Sequence, residues 1–218
     1  MLNIQYNMDY EQLLIEEARR ESTVVIQEEV HSFWVKLSNV DIQLLTLFEE
    51  RQRLTRNVGI IKDEYRIVVT QDNRWQQVIE NITLAAERLN LPTKVICGIW
   101  TLIHNDSIDR QKAIDRYLNS NRINTPAEAV LSLLTELRTE IDAADVLIVE
   151  LIGKKIELTN KLIELRKSVG IDINRDFMCQ VVQERISLES EKLGLPKLLI
   201  TNIWDIINQY SINVSKTI

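Results

Sequence analysis

The chain of 218 residues is 45% apolar and 27% charged, and its formal net charge is −6. Because it has no basic run and no apolar segment near the roughly 20 residues of a membrane span, we expect neither nucleic acid nor a membrane as a partner. Five Gly and three Pro are too few for the many turns of a β-rich fold, so the composition predicts an all-α protein.

Three helices are predicted in the first half of the chain. Residues 9–69 contain no proline and a single glycine, Gly59, which predicts one very long helix, with or without a kink. A second helix is expected over 71–90, where Pro92 stops it. Pro92 also suits the first position of a third helix, which we expect to reach residue 118.

The second half repeats this order after a polar segment at 119–125, which we predict to be a linker. Thr125, Pro126 and Glu128 form a capping-box start for the fourth helix. A turn at 170–174 and a Gly-Leu-Pro step then separate the remaining elements. The helices predicted for this half run over 126–168, 175–193 and 197–210.

The two halves match residue by residue at a constant offset of 104 positions. The matching pairs are Asp41 and Asp145, Leu91-Pro92 and Leu195-Pro196, Ile99-Trp100 and Ile203-Trp204, Ile103 and Ile207, and Ser107 and Ser211. A single three-helix unit cannot cover the apolar stripe of its own long helix, so we predict that the two copies pack together as a covalent pseudo-dimer. The predicted regions are an N-terminal helical extension at 1–29, a first copy at 30–118 and a second copy at 126–215.

Two cations stand out on the first long helix. Arg51 and Lys62 are eleven residues apart, which places them on one side of the helix and roughly 16 Å apart along its axis. An apolar stripe borders them, formed by Leu44, Leu45, Phe48, Leu54, Val58 and Ile61. Two cations beside a buried stripe suit an elongated dianion, and the alternative on spacing alone is a pair of solvated charges.

The few cysteines and histidines show no metal-ligand spacing. Cys97 and Cys179 stand on predicted helices, and we expect them to be reduced core thiols. His31 and His104 are too few for a metal cluster, so no metal is predicted. No signal peptide opens the sequence, and we therefore expect a cytoplasmic protein.

Each half resembles the all-helical chorismate mutase family, over roughly residues 30–215. The family pattern has an Arg-x-x-(Ile/Leu)-Asp start on a long helix, then a second Arg and a Lys on the same helix. An Asp-x-x-Arg-Glu motif on the second helix and a Ser-x-x-x-Gln motif on the third complete the pattern. Family members are commonly dimers in which the first Arg reaches across into the partner's site.

The first copy carries most of this pattern. Five of its residues occupy family positions: Arg51, Lys62, Arg74, Ser107 and Gln111. Trp34 stands at the position of the first Arg, and Gln71 and Trp75 replace the acidic residues of the second helix.

The second copy departs from the family pattern at other positions than the first copy does. It keeps the first Arg as Arg138, and it also keeps Ser211. Its other positions read Lys155, Arg166, Arg175, Met178, Cys179 and Ser215. In a pseudo-dimer similar to the family dimer, Arg138 crosses into the first copy's pocket and Trp34 enters the other. The resemblance therefore implies one nearly complete composite site and one degenerate site.

The activity implied by the resemblance is the rearrangement of chorismate to prephenate, which needs no nucleophile, metal or cofactor. The implied ligand is a small dicarboxylate, and a dimer contained in one chain implies a monomer. The implied roles are carboxylate binding by Arg51 and Arg138 with Ser107 as a donor, charge support by Arg74, and donation to the ether oxygen by Lys62 and Gln111.

Three residues depart from the family pattern where the substrate ring is expected. Gln71 can still hydrogen-bond a ring hydroxyl, Trp75 offers an indole N–H, and His104 replaces an apolar residue one turn before Ser107. The alternatives are a partly buried helix residue for His104 and core filling for Trp34 and Trp75.

Because the ring contacts are altered, three functions stay open. One is a chorismate mutase, and another is a related enzyme of the isochorismate-pyruvate lyase or aminodeoxychorismate mutase type. The third is a non-catalytic regulatory or binding protein that keeps the helical scaffold.

Overall fold

The computed structural model describes residues 24–114, 127–168 and 175–217. These residues form six helices: α1 Val24–Glu64, α2 Asp72–Arg88, α3 Thr93–Ile114, α4 Glu128–Ser168, α5 Arg175–Lys192 and α6 Lys197–Thr217. No strand occurs in these ranges, so the predicted all-α fold of two long-medium-medium helix sets is confirmed. None of these helices combines the length and the apolarity that a membrane span requires.

The two long helices, α1 and α4, each have 41 residues and pack antiparallel along their lengths. Asp41 of α1 contacts Lys155 of α4, whereas Arg51, farther along α1, contacts Asp145, which lies earlier in α4. The packing of the two copies predicted from the repeat is thus confirmed, and it brings the long helices together antiparallel. The predicted linker at 119–125 lies outside the described residues.

One hydrophobic core runs through both halves of the chain. Leu44 and Leu45 of α1 and Ile148 and Ile152 of α4 are at most 1% exposed, and burying each such side chain contributes roughly 1.5–3 kcal/mol. Because α1 and α4 cover each other's apolar stripe, the two units form a pseudo-dimer within one chain.

The repeat is also visible in the turns that precede α3 and α6. Asn90 and Gly194 have positive φ angles of 52° and 65°. The N–H of the next residue, Leu91 or Leu195, donates back to a carbonyl in the last helical turn at 2.9 Å in both copies. These are Schellman helix ends, in which a left-handed residue closes the helix and a proline soon follows.

The end of α1 differs from the predicted one. The helix ends at Glu64 rather than near residue 69, because Arg66 takes a left-handed conformation with a φ of 55°. The N–H of Ile67 donates to the carbonyl of Lys62 at 2.7 Å, and the fully buried Ile67 side chain anchors this Schellman end. The connection to α2 is thereby turned back beside Lys62.

Other boundaries also shift. The last helix continues to Thr217 instead of ending near residue 210, since the intervening sequence contains neither glycine nor proline. Pro92 caps α3 through its carbonyl and is not its first residue, which is Thr93. The predicted domain limits stay predictions, and these segments lie outside the described residues: 1–23, 115–126 and 169–174.

Candidate active site

A cavity of about 80 Å³ lies between the helices of the first copy and α4 of the second copy. All nine residues for which the sequence predicts a site role line this cavity: Arg51, Lys62, Gln71, Arg74, Trp75, His104, Ser107, Gln111 and Arg138. A wider depression of about 390 Å³ shares Gln71, Arg74 and Arg138 with it. These three side chains therefore stand where the cavity meets the more open surface.

The Arg51 guanidinium is held by residues from two other helices. Its Nε donates to Asp145 Oδ1 at 2.5 Å and its Nη2 to Asp145 Oδ2 at 3.4 Å, so the pair is bidentate and joins the two copies. Its Nη1 donates to the Ser107 hydroxyl at 3.3 Å, and that hydroxyl donates to the Ile103 carbonyl at 2.8 Å. Arg51 is 7% exposed, and this network determines where its charge lies.

Arg74 and Arg138 approach the cavity from opposite copies. Arg74 of α2 makes a bidentate pair with Asp142 of α4, at 3.0 and 2.5 Å. Arg138 lies one turn before Asp142 on α4 and donates through Nη2 to the Gln71 side-chain oxygen. The guanidinium of Arg138 thus reaches the first copy and has a neutral acceptor there.

Lys62 is buried at the floor of the cavity, with 6% of its surface exposed. Its ammonium donates to the Val69 carbonyl at 2.7 Å, because the turn after α1 brings that segment back beside the helix. Burial, and then the charges of Arg138 and Arg74, lower the pKa of Lys62 to about 8. Burial and Arg74 likewise lower the pKa of Arg138, although the Asp142 carboxylate opposes that shift.

Trp75 and His104 form a stacked pair in the cavity wall. Their ring centroids are 4.0 Å apart and their planes differ by 20°. Burial, together with the charges of Arg51 and Lys62, lowers the pKa of His104 below its usual range, so its imidazole is neutral at pH 7. A neutral imidazole offers one donor and one acceptor nitrogen to a ligand.

Gln111 of α3 is 7% exposed and lies on the cavity wall. Its side-chain Oε1 is buried and accepts no hydrogen bond from the residues that the structure describes. A buried amide with an unsatisfied atom is unusual in a folded protein, since leaving such a group without a partner costs about 1–3 kcal/mol. The Oε1 is thus available as an acceptor to a donor group of a ligand.

The charges around the cavity do not cancel. Four cations line it, namely Arg51, Lys62, Arg74 and Arg138, and among the described residues the carboxylates paired with them are Asp142 and Asp145. Lys62 and Arg138 instead donate to neutral oxygen atoms. The excess of two positive charges matches the charge of a dianion.

The pseudo-symmetric position in the second half has a closed network. Asp41 accepts from Lys155 Nζ at 2.6 Å, from Arg185 Nη2 at 2.6 Å and from Trp204 Nε1 at 3.0 Å. Arg185 also donates through Nη1 to the Ser38 hydroxyl. The side chains of Lys155 and Asp41 are 4% and 2% exposed, so this network is buried.

The remaining positions of the second copy are described only in part. Arg166 and Ser211 are buried, and Trp34 of the first copy is half-buried and packs against the main core. The side chains of Arg175, Met178, Cys179 and Ser215 lie outside the described residues.

Two residues that contact the site were not predicted as site residues. Asp145 carries a sequence signal, because it matches Asp41 in the repeat and both face a cation of the opposite copy. Asp142 has no match in the repeat, where Ser38 stands, but it is the Asp of the Arg-x-x-Ile-Asp start of the second copy. Its pairing with Arg74 depends on how α2 packs against α4.

Comparison with known families gives one result, which covers both halves. The sequence model of the family described as chorismate mutase type II matches residues 35–112 and, a second time, residues 137–216. Searches of curated proteins and of solved structures gave no significant match.

Proposed function

The chain belongs to the chorismate mutase type II family, and we propose that it rearranges chorismate to prephenate in one composite active site per chain. The observation that carries this proposal is the position of Arg138. This residue of the second copy lines the same cavity as Arg51, Lys62 and Gln111 of the first copy. The cavity has two positive charges in excess, and chorismate carries two carboxylates.

Positioning accounts for the first part of the proposed mechanism. A concerted rearrangement needs the substrate in a compact, reactive conformer, and holding that conformer lowers the barrier through proximity and orientation. Arg51 is oriented by Asp145 and Ser107 and can bind one carboxylate. Arg138 can bind the other, exchanging the neutral oxygen of Gln71 for a charged acceptor and so gaining a charge-assisted hydrogen bond.

Electrostatic stabilisation accounts for the second part. Negative charge develops on the ether oxygen as its bond breaks, and donors fixed in a buried site stabilise that charge. In the proposed mechanism the Lys62 ammonium and the Gln111 amide are these donors, and both side chains are buried on the cavity wall. Removing a donor of this kind typically costs about 2.7–4 kcal/mol in the transition state.

The cavity favours isochorismate over aminodeoxychorismate as an alternative substrate. Trp75 and His104 stand where the ring is expected, and neutral His104 can accept a hydrogen bond from a hydroxyl group. A protonated ring amine meets an excess of positive charge in this cavity, which disfavours aminodeoxychorismate. The isochorismate-pyruvate lyase reaction therefore remains the second candidate.

Incubation with chorismate and with isochorismate, in separate reactions, tests the proposal. Prephenate, pyruvate and salicylate are measured in each. Prephenate formed from chorismate is the expected result, and pyruvate with salicylate formed from isochorismate alone would indicate the lyase. Binding of chorismate without any product would indicate a non-catalytic protein, and calorimetry should give one bound dianion per chain.

A further inference from the structure

The helix α1 contains a buried glycine, Gly59, on the side that faces α3. A Cβ atom added to Gly59 would lie 2.9 Å from Gln111 Cγ, 3.6 Å from Gln111 Cα and 3.3 Å from Ile114 Cδ1. A carbon contact of 2.9 Å is shorter than folded proteins tolerate, so the stem of Gln111 would have to move. The missing side chain therefore permits the observed approach of α3 to α1.

The other glycines in the described helices do not permit a close helix approach of this kind. Gly98 of α3 has no atom within 4 Å of an added Cβ, and at Gly153 of α4 the neighbour is the flexible end of Leu91. Glycine is a poor helix former, which makes its presence in the middle of a long buried helix unfavourable unless close packing requires it.

The repeat supplies an independent observation. The residue that matches Gly59 in the second copy is Ile163, and the residue that matches Gln111 is Ser215. The glycine and the glutamine thus occur together in the first copy and are replaced together in the second. This pattern is expected if the glycine is needed to position the glutamine and not for the packing of the two helices in general.

We propose that Gly59 is a positioning residue that sets the location of the Gln111 amide in the active site. This inference rests on the proposed function, in which that amide donates to the breaking bond. The buried Oε1 of Gln111 has no hydrogen bond from the described residues, so the packing of its stem against Gly59 determines where the amide lies. Displacing a catalytic group by about 1 Å can cost on the order of 100-fold in rate, so a few tenths should cost about tenfold.

The test compares Gly59→Ala with Gly98→Ala, a matched control in open space, by steady-state kinetics with chorismate. Gly59→Ala should lower kcat about tenfold with little change in KM, because the amide acts mainly in the transition state. Gly98→Ala should leave both constants unchanged. An unchanged kcat in Gly59→Ala would overturn the proposal.

A double-mutant cycle separates positioning from general packing. In a Gln111→Ala background, which removes every atom beyond Cβ, the added Gly59→Ala change should have no further effect on kcat. An equal loss in both backgrounds would show that Gly59 acts independently of Gln111. If Gly59→Ala does not fold, restored folding in the double variant supports the contact, and failure of both overturns it.

A readout without turnover keeps this inference distinct from the proposed function. The side-chain amide signal of Gln111, assigned by its loss in Gln111→Ala, is followed by nuclear magnetic resonance. The signal should shift in Gly59→Ala and stay in place in Gly98→Ala. If the parent converts no substrate, the proposed function fails while this comparison still decides whether Gly59 positions the amide.

Discussion

In both halves of the chain, an aspartate on one long helix faces a cation on the other. Asp145 faces Arg51, and Asp41 faces Lys155. The first pair leaves a guanidinium nitrogen for Ser107 on the cavity wall. In the second pair the aspartate accepts two further donors from the second copy, so its carboxylate has three donors without a ligand.

This difference shows that the two copies of a duplicated site can take different roles. One network contributes to stability, and the other leaves positive charge for a ligand. Burying an unpaired charge costs several kcal/mol, so each aspartate needs its cation whether or not a ligand binds. Arg185 and Trp204 of the second copy also donate to Asp41. In the first copy, Lys62 and Arg138 donate only to neutral oxygens among the described residues, which suits a site that receives its counter-charge from a substrate.

The largest expected effect follows from removing the residue that joins the copies at the proposed site. Arg138→Ala should lower kcat/KM by roughly 30-fold or more, because a carboxylate of the dianion then lacks its guanidinium partner. Folding should survive, since Ala is a good helix former. Steady-state kinetics and circular dichroism of the purified variant measure both effects.

The matched change is Trp34→Ala, at the equivalent position of the first copy. Trp34 packs against the main core, so this variant should lose stability more than activity. A folded Arg138→Ala protein with the parent kcat/KM would contradict the composite site. A Trp34→Ala protein that loses activity without losing stability would contradict the assignment of the two positions.

Raising the pH above 8 should lower activity and raise the contribution of Lys62 to stability. Lys62 has a pKa of about 8 when folded and 10.5 in its unperturbed state. Because the proposed donor must be protonated, kcat/KM should be constant below pH 8 and fall toward tenfold per pH unit above it. The folded state binds fewer protons than the unfolded state between these values, so the Lys62 contribution to stability rises with pH there.

The variant Lys62→Met isolates this contribution, because it removes the titrating group. The difference in free energy of unfolding between parent and variant is measured by urea denaturation at several pH values. It should shift in favour of the parent as the pH rises from 8 toward 10.5. A parent kcat/KM that stays constant to pH 10 would rule out protonated Lys62 as the donor.

A further expected difference concerns the stability contributed by two matching tryptophans. Both side chains are fully buried, but Trp204 Nε1 donates to Asp41 at 3.0 Å, whereas Trp100 Nε1 has no partner among the described residues. Trp204→Phe should therefore cost about 1.5–3 kcal/mol more stability than Trp100→Phe, because a hydrogen bond to a charged group is lost. Urea denaturation compares the two variants, and equal losses would contradict the closed network.

Much of the candidate site was predictable because it depends on local spacing. The side of a helix on which Arg51 and Lys62 lie follows from 3.6 residues per turn. The crossing of Arg138 followed from the repeat and the family resemblance together. Asp142 belongs to the Arg-x-x-Ile-Asp start of the second copy, but its partner Arg74 could not be predicted, because that pairing depends on the distance between α2 and α4.

The sequence by itself determined the helices, the repeat and the set of cations, since these depend on periodicity, on proline and glycine positions and on residue matches. Only the tertiary structure decided which cations are paired with carboxylates and which face neutral oxygens. It also decided where α1 ends and why the pKa of Lys62 falls, because burial and the charges of Arg138 and Arg74 act through space. Electrostatic energies depend on interatomic distance and burial, which packing between helices sets and the spacing along the chain does not.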